Sequence, residues 1–338
     1  MIYSIFPKHD VTLYEQHPDI NTSNDEILDL TKIVSSSKIA GKFNSRILLD
    51  FQLNSLNTVL VGAGKTDLKY ILNLYVAHAE TPSPKYNMEI SNVSESWSPG
   101  YGRLNQNPKS KDGVSWKYKS TGETWTGDAG LTLTTSSIVE TITNSEDIRT
   151  DISSIVTSGP DYGFTVKRST ANESDGNKNG TIKYFSSKTS TVYKPRVEVC
   201  YSDATFTTGS LSALTTTKDI FIQQLQNKGE YRLDSTVKFG IAGREKYPAK
   251  TYGTSSIAST VKYLPETTYY SLVDLKTGET VIPFDTTYTK VSCDANGNYL
   301  NLKLSGLYID RFYQFRFRVD ANNTTEYYDV ESKFKVVS

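Results

Sequence analysis

A chain of 338 residues in which 37 Lys and Arg balance 37 Asp and Glu has a formal net charge of zero. No global field draws it to phosphate backbones or anionic lipid, so neither nucleic acid nor membrane is an expected partner. Its length suits two domains of ordinary size, each able to bury a core without metal or disulfides.

The N-terminal stretch MIYSIFPKHD is interrupted by Pro7, Lys8, His9 and Asp10 before an apolar export segment forms, so no secretion signal is expected. No later run approaches the ~18 apolar residues that span a bilayer. His9 and His17 lie near Asp10, Asp19, Asn21, Asn24 and Asp25. Their spacing matches no metal-site pattern, and a solvated loop is the expected reading. A structural calcium in this stretch is the one cofactor left open; no other cofactor is expected.

From Arg46 onward the chain alternates. Ile47, Leu49, Phe51 and Leu53 share one face against Arg46, Asp50 and Gln52, and Leu68, Tyr70, Leu72, Leu74 and Val76 repeat the pattern. A period of two over five to eight residues, bounded by Gly, Pro, Asn and Ser, marks half-buried antiparallel strands. Between these runs, VGAGKT (residues 61–66) resembles a phosphate loop only superficially. The first glycine position of that motif holds Val59, and the following DLKYILNLYVA reads as a strand rather than a helix, so a hairpin turn is expected and nucleotide hydrolysis is not.

The three tryptophans, Trp97, Trp116 and Trp125, all fall within one polar stretch, SESWSPGYGRLNQNPKSKDGVSWKYKSTGETWTGDAG. Flat aromatic faces on loops can stack on sugars, which makes these three the candidate glycan contacts. The expected role is different: large aromatics supply the packing area that orders a long loop. Carboxylate pairs such as Glu123 and Asp128 are not distinguished from surface charge. No G-x-S-x-G sits between strand and helix, and three histidines leave a Ser-His-Asp set few bases. No catalytic residue is assigned, and no enzyme is expected.

In DIRTDISSIVTSGP, Ile148, Ile152, Ile155 and Val156 fall at i, i+4, i+7 and i+8, with Asp147 or Thr150 to cap the start. The pattern predicts a short helix stopped by Gly159 and Pro160. In the following DYGFTVKRST, Gly163 releases the chain into a strand with Phe164 and Val166 on one face and Thr165 and Lys167 on the other. Tyr162 is expected to pack across the corner, a folding landmark rather than a ligand contact.

The segment SDATFTTGSLSALTTT (202–217) is small, polar and nearly chargeless, as a linker is. KDIFIQQLQNKG (218–229) reads either as one or two helical turns or as an edge strand, because Ile220, Ile222 and Gln224 also alternate. Beyond it come LKTGET and DANGNY, where glycine supplies the positive φ of a hairpin turn. Leu300, Leu302 and Leu304, then Tyr313, Phe315, Phe317 and Val319, complete the strand signals. Strands at intervals of ~10 residues suit an immunoglobulin-like sandwich. The cysteines, Cys200 and Cys293, read as free buried thiols.

Four pieces together carry a resemblance: NSRILLDFQLNSL, SESWSPGYG, GVSWKYKSTGETWTGDAG, and SGPDYGFTVKRS followed by TIKYFSSKTSTVYKPRVEVCY. In this order they resemble the DNRLRE-type domains, relatives of a carbohydrate-binding jelly-roll module, over about the first 200 residues. TGDAG stands after Trp125 where the family commonly has a longer Gly-Gly-Asp segment. The resemblance implies a jelly roll. Because the family occurs in secreted bacterial proteins and in phage structural proteins, the expected absence of an export signal turns the reading toward a virion.

The expected fold is therefore all-β: an N-terminal jelly-roll sandwich with one short helix (1–205), a linker (206–216) and a smaller immunoglobulin-like sandwich (217–338). The expected function is that of a non-enzymatic structural or adhesion component of a tailed-bacteriophage virion, at neck, tail or capsid surface. Its expected partners are other virion proteins, in several symmetric copies, with host-surface glycan a further one. The alternatives are a glycan-binding module of a bacterial surface or extracellular protein and, third, an enzyme acting on polysaccharide.

Overall fold

A computed structural model of the chain describes residues 1–34, 42–81, 85–127, 133–143, 147–158, 160–176, 180–214, 219–247, 262–321 and 323–338. The protein is all-β, built of sandwich-type sheets. It divides into two compact units, Ile5–Gly64 with Lys69–Glu198, and Met1–Ser4 with Lys65–Leu68 and Val199–Ser338. No helix among the described residues is long and apolar enough to cross a membrane.

Up to Ser202 the strands are β1 (Ile2–Ile5), β2 (His9–Tyr14), β3 (Ile27–Val34), β4 (Lys42–Asp50), β5 (Thr66–Leu74), β6 (Val76–Glu80) and β7 (Lys85–Val93). They continue with β8 (Tyr118–Ser120), β9 (Glu123–Thr124), β10 (Leu133–Thr143), β11 (Ile148–Asp151), β12 (Phe164–Arg168), β13 (Gly180–Phe185) and β14 (Arg196–Ser202). One sheet runs β10-β7-β12-β4-β3-β13-β6, with β2 also on β4, and a second runs β1-β14-β5-β11.

Three helices interrupt them: α1 (Leu53–Gly62), α2 (Ser153–Ser158) and α3 (Thr170–Ser174). The expected period-two run through Leu53 is thus corrected, since β4 stops at Asp50 and Leu53 begins a helix. VGAGKT is likewise no hairpin: Val61 and Gly62 close α1, and β5 starts at Thr66. The predicted helix at 147–158 is present but shorter, because Ile148 to Asp151 pair with β5 as a strand.

β12 is central, flanked by β4 and β7 in antiparallel register, Val166↔Ile47 and Val166↔Ile90. All five of its residues are buried, so the Thr165 and Lys167 face is not solvated as a half-buried strand would leave it. The Lys167 ammonium sits 3.0 Å from Glu89 and 3.8 Å from Glu173, and Glu173 holds Arg46 at 2.8 Å. Buried charge is tolerated in proteins when it is paired in this way.

After Ser202 come β15 (Ser212–Ala213), β16 (Ile220–Leu225), β17 (Glu230–Arg232), β18 (Thr236–Glu245), β19 (Lys262–Tyr263) and β20 (Thr268–Asp274). The last strands are β21 (Thr280–Ile282), β22 (Ser292–Asp294), β23 (Gly297–Lys303), β24 (Phe312–Ala321) and β25 (Thr324–Val337). β16 is the strand, not the helical turns, of the 218–229 alternatives. One sheet runs β15-β19-β18-β23-β22 with β16 on the other edge of β18, and the other runs β17-β25-β24-β20-β21.

The alternating residues Leu300, Leu302, Tyr313, Phe315, Phe317 and Val319 are all buried. Phe239, Phe315 and Phe334 meet at centroid separations of 5.1 to 5.5 Å to form the aromatic centre of this unit. Gly278 at φ 75° and Gly297 at φ 128° turn the hairpins between β20 and β21 and between β22 and β23. Cys200 and Cys293 are buried thiols that take part in no disulfide among the described residues.

Candidate functional site

A groove of about 610 Å³ runs along β16 and β25, within the ~300–1,000 Å³ range of ligand sites. Strand pairing explains why it exists. Among the described residues β16 pairs only with β18, and β25 pairs with β24 from Thr324 to Lys335 but with β17 only from Lys335 to Val337. Among the described residues the remaining flank of β25, from Thr324 to Phe334, carries no further strand.

Ile220, Ile222 and Val330, each buried, give the groove an apolar wall. Gln224 occupies the next inward position of β16, only 4% exposed, and among the described residues neither its amide nitrogen nor its amide oxygen has a hydrogen-bond partner. Leaving a buried polar group unmatched costs about 1–3 kcal/mol, and such groups are rare in folded proteins. An apolar residue in the same inward row would carry no such cost.

The rim is acidic: Asp219, Glu326, Asp329 and Glu331 face one lysine, Lys246. Arg316 on β24 holds Asp329 at 2.6 Å, which leaves carboxylates in excess. At one end Asn227 donates to Ser332 Oγ at 2.6 Å and to the Lys333 carbonyl at 2.9 Å. At the other, burial pushes the Tyr328 hydroxyl above its ordinary pKa, opposed by a backbone hydrogen bond from Ile220.

The tryptophans lie elsewhere. Trp116 and Trp125 are 7% and 5% exposed and belong to a core cluster with Val11, Leu13, Leu48, Val93 and Val114, against which Trp97 packs. The Trp125 indole donates to the Ser115 carbonyl at 3.1 Å, and the Arg46 guanidinium lies 4.6 Å from the Trp116 ring centre. Rings so enclosed have no open face for a sugar, and their place is that of anchors for the 94–127 segment.

Asn21 is the second anchor of this segment. Fully buried, it donates to the carbonyls of Pro99 and Val114 at 2.6 and 2.7 Å and accepts from Gly102 N–H at 2.7 Å. Asn24 donates to the Tyr101 carbonyl and Asp25 accepts from Leu104 N–H. Asp10, buried, accepts from the N–H and hydroxyl of Ser187 at 2.6 and 2.5 Å. Of the donors considered for calcium, Asp10, Asn21, Asn24 and Asp25 are thus committed to other chain segments, while Asp19 keeps one buried oxygen without a hydrogen-bond partner among the described residues; no group of three or more His, Cys, Asp or Glu side chains placed to hold a metal occurs among those residues.

Trp97 is half-buried; its indole donates to the Tyr162 carbonyl at 2.8 Å, and His9 meets it edge-on at 6.3 Å. The Tyr162 ring is 40% exposed, so the expectation that it packs across the corner is corrected: the backbone is held and the ring is not. With Asp50 and Asp161 these residues line a niche of about 80 Å³. Burial lowers the His9 pKa and raises that of Asp50. Pro160 is exposed beyond the end of α2, and Gly159 lies outside the described residues, as does Asp128; Glu123 is exposed and accepts from Ser120 Oγ.

Asp161 was not singled out in the sequence, yet it caps α1. Gln52, at the cap position with φ 53°, makes no side-chain cap, and the Asp161 carboxylate accepts from the N–H groups of Asn54 and Ser55 at 3.1 and 3.0 Å.

Comparison with known proteins gives little purchase. No family model matches the chain, and no curated protein matches it. Among solved structures, a DUF4785 family protein of Legionella pneumophila shares 9% identity at a TM-score of 0.20. That match covers 98% of this chain and 66% of the other. A β-glucuronidase of Parabacteroides merdae shares 8% identity at a TM-score of 0.17 over 79% of this chain and 28% of that one. Likeness at these scores carries no argument about function.

Proposed function

We propose that the chain is a non-enzymatic structural and adhesion component of a tailed-bacteriophage virion, which docks on other virion proteins through its sheet edges, in several symmetric copies. The observation that carries the docking part is the groove between β16 and β25. It offers an open strand flank, an apolar wall and an acidic rim, the features of surfaces that add a strand from a partner. The virion setting rests on the resemblance of the first 200 residues to DNRLRE-type domains.

The strand order supports the same reading. β16-β18-β23-β22 opposite β20-β24-β25, with β17 crossing to pair in parallel with β25, corresponds to the two-sheet order of immunoglobulin-like sandwiches. Such modules recur as presenting and docking units on unrelated proteins, so the fold alone names no partner.

Mass spectrometry of purified particles tests the proposal. The chain is expected among the particle proteins in multiple copies; particles that lack it while the host lysate contains it would refute the virion reading. A second reading, glycan contact, is favoured by the niche where the exposed Tyr162 ring adjoins Trp97, His9 and Asp50. Selective glycan-array binding, lost in Tyr162→Ala with stability unchanged, would favour that second reading over docking.

A further inference from the structure

We propose that the groove receives an extended, basic strand of another protein chain, which adds to the open flank of β25, and that Gln224 sets its register by a two-point hydrogen bond to one of its peptide groups. This rests on the docking reading and specifies the partner's chemistry.

Strand addition needs a flank without a neighbouring strand, and among the described residues β25 offers one from Thr324 to Glu331, ahead of the Asn227 contacts to Ser332 and Lys333. It needs pockets for alternate side chains, and Ile220, Ile222 and Val330 supply an apolar wall suited to every second residue of the incoming strand. The intervening residues then face the rim. There Asp219, Glu326 and Glu331 outnumber Lys246, and Lys or Arg at alternate positions of the partner gives the complementary charge.

Gln224 is the independent pointer to a ligand. Its carboxamide is at least nine-tenths buried, lines the groove and has neither donor nor acceptor satisfied. A carboxamide carries N–H and C=O side by side, the same pair that a peptide group in an extended strand presents. With a rotation of its side chain, Gln224 can donate to one backbone carbonyl and accept from one backbone N–H of the partner. No purely apolar ligand would satisfy it.

A second copy of this chain is the poorer occupant. Two β25 flanks paired with each other would bring Glu326 and Glu331 of both copies together, and like charges placed opposite one another across a sheet are destabilising. The chain's own formal charge is zero, so nothing global compensates.

The test titrates the isotope-labelled full chain with a short capped peptide alternating valine and lysine, and with its valine–glutamate counterpart, followed by amide NMR. Shifts confined to β16 and β25, with binding roughly tenfold weaker for the acidic peptide, are expected. Gln224→Leu, close in volume, is expected to fold and to weaken the basic peptide roughly tenfold; Glu331→Lys, at an exposed site, is expected to weaken it as well and serves if the first variant does not fold.

Equal binding of both peptides, shifts elsewhere, or unchanged affinity in both variants would overturn the proposal. So would self-association in sedimentation that Gln224→Leu abolishes, since the occupant would then be a second copy. Failure here with the chain still present in purified particles would remove the strand-addition assignment and leave the virion reading standing.

Discussion

Gly163 shows how one residue fixes a corner. Its φ of 81° lies in the left-handed region, and a Cβ there would overlap the Leu49 carbonyl oxygen, because β12 enters the sheet directly against β4. Gly163→Ala is expected to destabilise the protein by about 2 kcal/mol or more, read as a lower midpoint in urea; an unchanged midpoint would contradict the packing described. This glycine was legible in the sequence as turn chemistry. Its neighbour Asp161 was not, since its partners Asn54 and Ser55 are brought to it only by the tertiary fold.

Asp10 gives the residue scale a pH dependence. Burial raises its pKa above the ordinary 3.8, and the hydrogen bonds from Ser187 oppose this only in part. The folded carboxyl therefore holds its proton more tightly than the unfolded one, so between the raised value and 3.8 the folded state binds more protons. Acidification through that window favours the native protein over one with a non-titrating side chain. Relative to wild type, Asp10→Asn is expected to lose stability as the pH falls from neutral toward that lower limit; a constant difference in paired urea titrations would contradict the shift.

At the scale of elements, the 94–127 segment holds only the short β8–β9 pair as regular structure and is anchored by side chains. Trp116, Trp125 and Asn21 tie it to β2 and β4 through the cluster around Val11, Leu13 and Leu48. Asn21→Ala leaves the Val114 carbonyl and the Gly102 N–H without their partner and the Pro99 carbonyl to the Ser23 hydroxyl alone, an expected loss of about 2 kcal/mol or more. Hydrogen exchange should quicken across residues 98–114. Exchange as slow as in wild type would mean that the tryptophans suffice alone.

Element types were legible where one period ran cleanly. Tyr313, Phe315, Phe317 and Val319 are buried as their alternation implied, since the β24 face against the core admits only apolar side chains. α1 was missed for a physical reason. Period two from Ile47 carries through Phe51 to Leu53, and the helical spacing of Leu53, Leu56 and Leu60 begins on that same residue. Val59 and Val61, exposed at 67% and 56%, and the lack of a local cap hide the helix further. β12 misled in the opposite sense: Lys167 reads as solvated, and only the approach of Glu89 and Glu173 makes its burial tolerable.

For the whole molecule, the candidate site illustrates what a sequence holds back. The alternation of Ile220, Ile222 and Gln224 was visible, including the polar residue in the apolar row, but the groove depends on which strand flanks stay unpaired, and pairing is tertiary. The tryptophans drew attention as the conspicuous aromatics, whereas the fold uses two of them as core. What stays open instead is a strand flank whose wall is apolar, whose rim is acidic and whose one buried amide is unmatched.

The most direct test compares hydrogen exchange of the isolated chain with that of the chain assembled on purified particles. Docking through the groove predicts slowed exchange in residues 219–225 and 324–332 on assembly. Particles carrying the chain with those two strands exchanging as fast as in the free protein would contradict it.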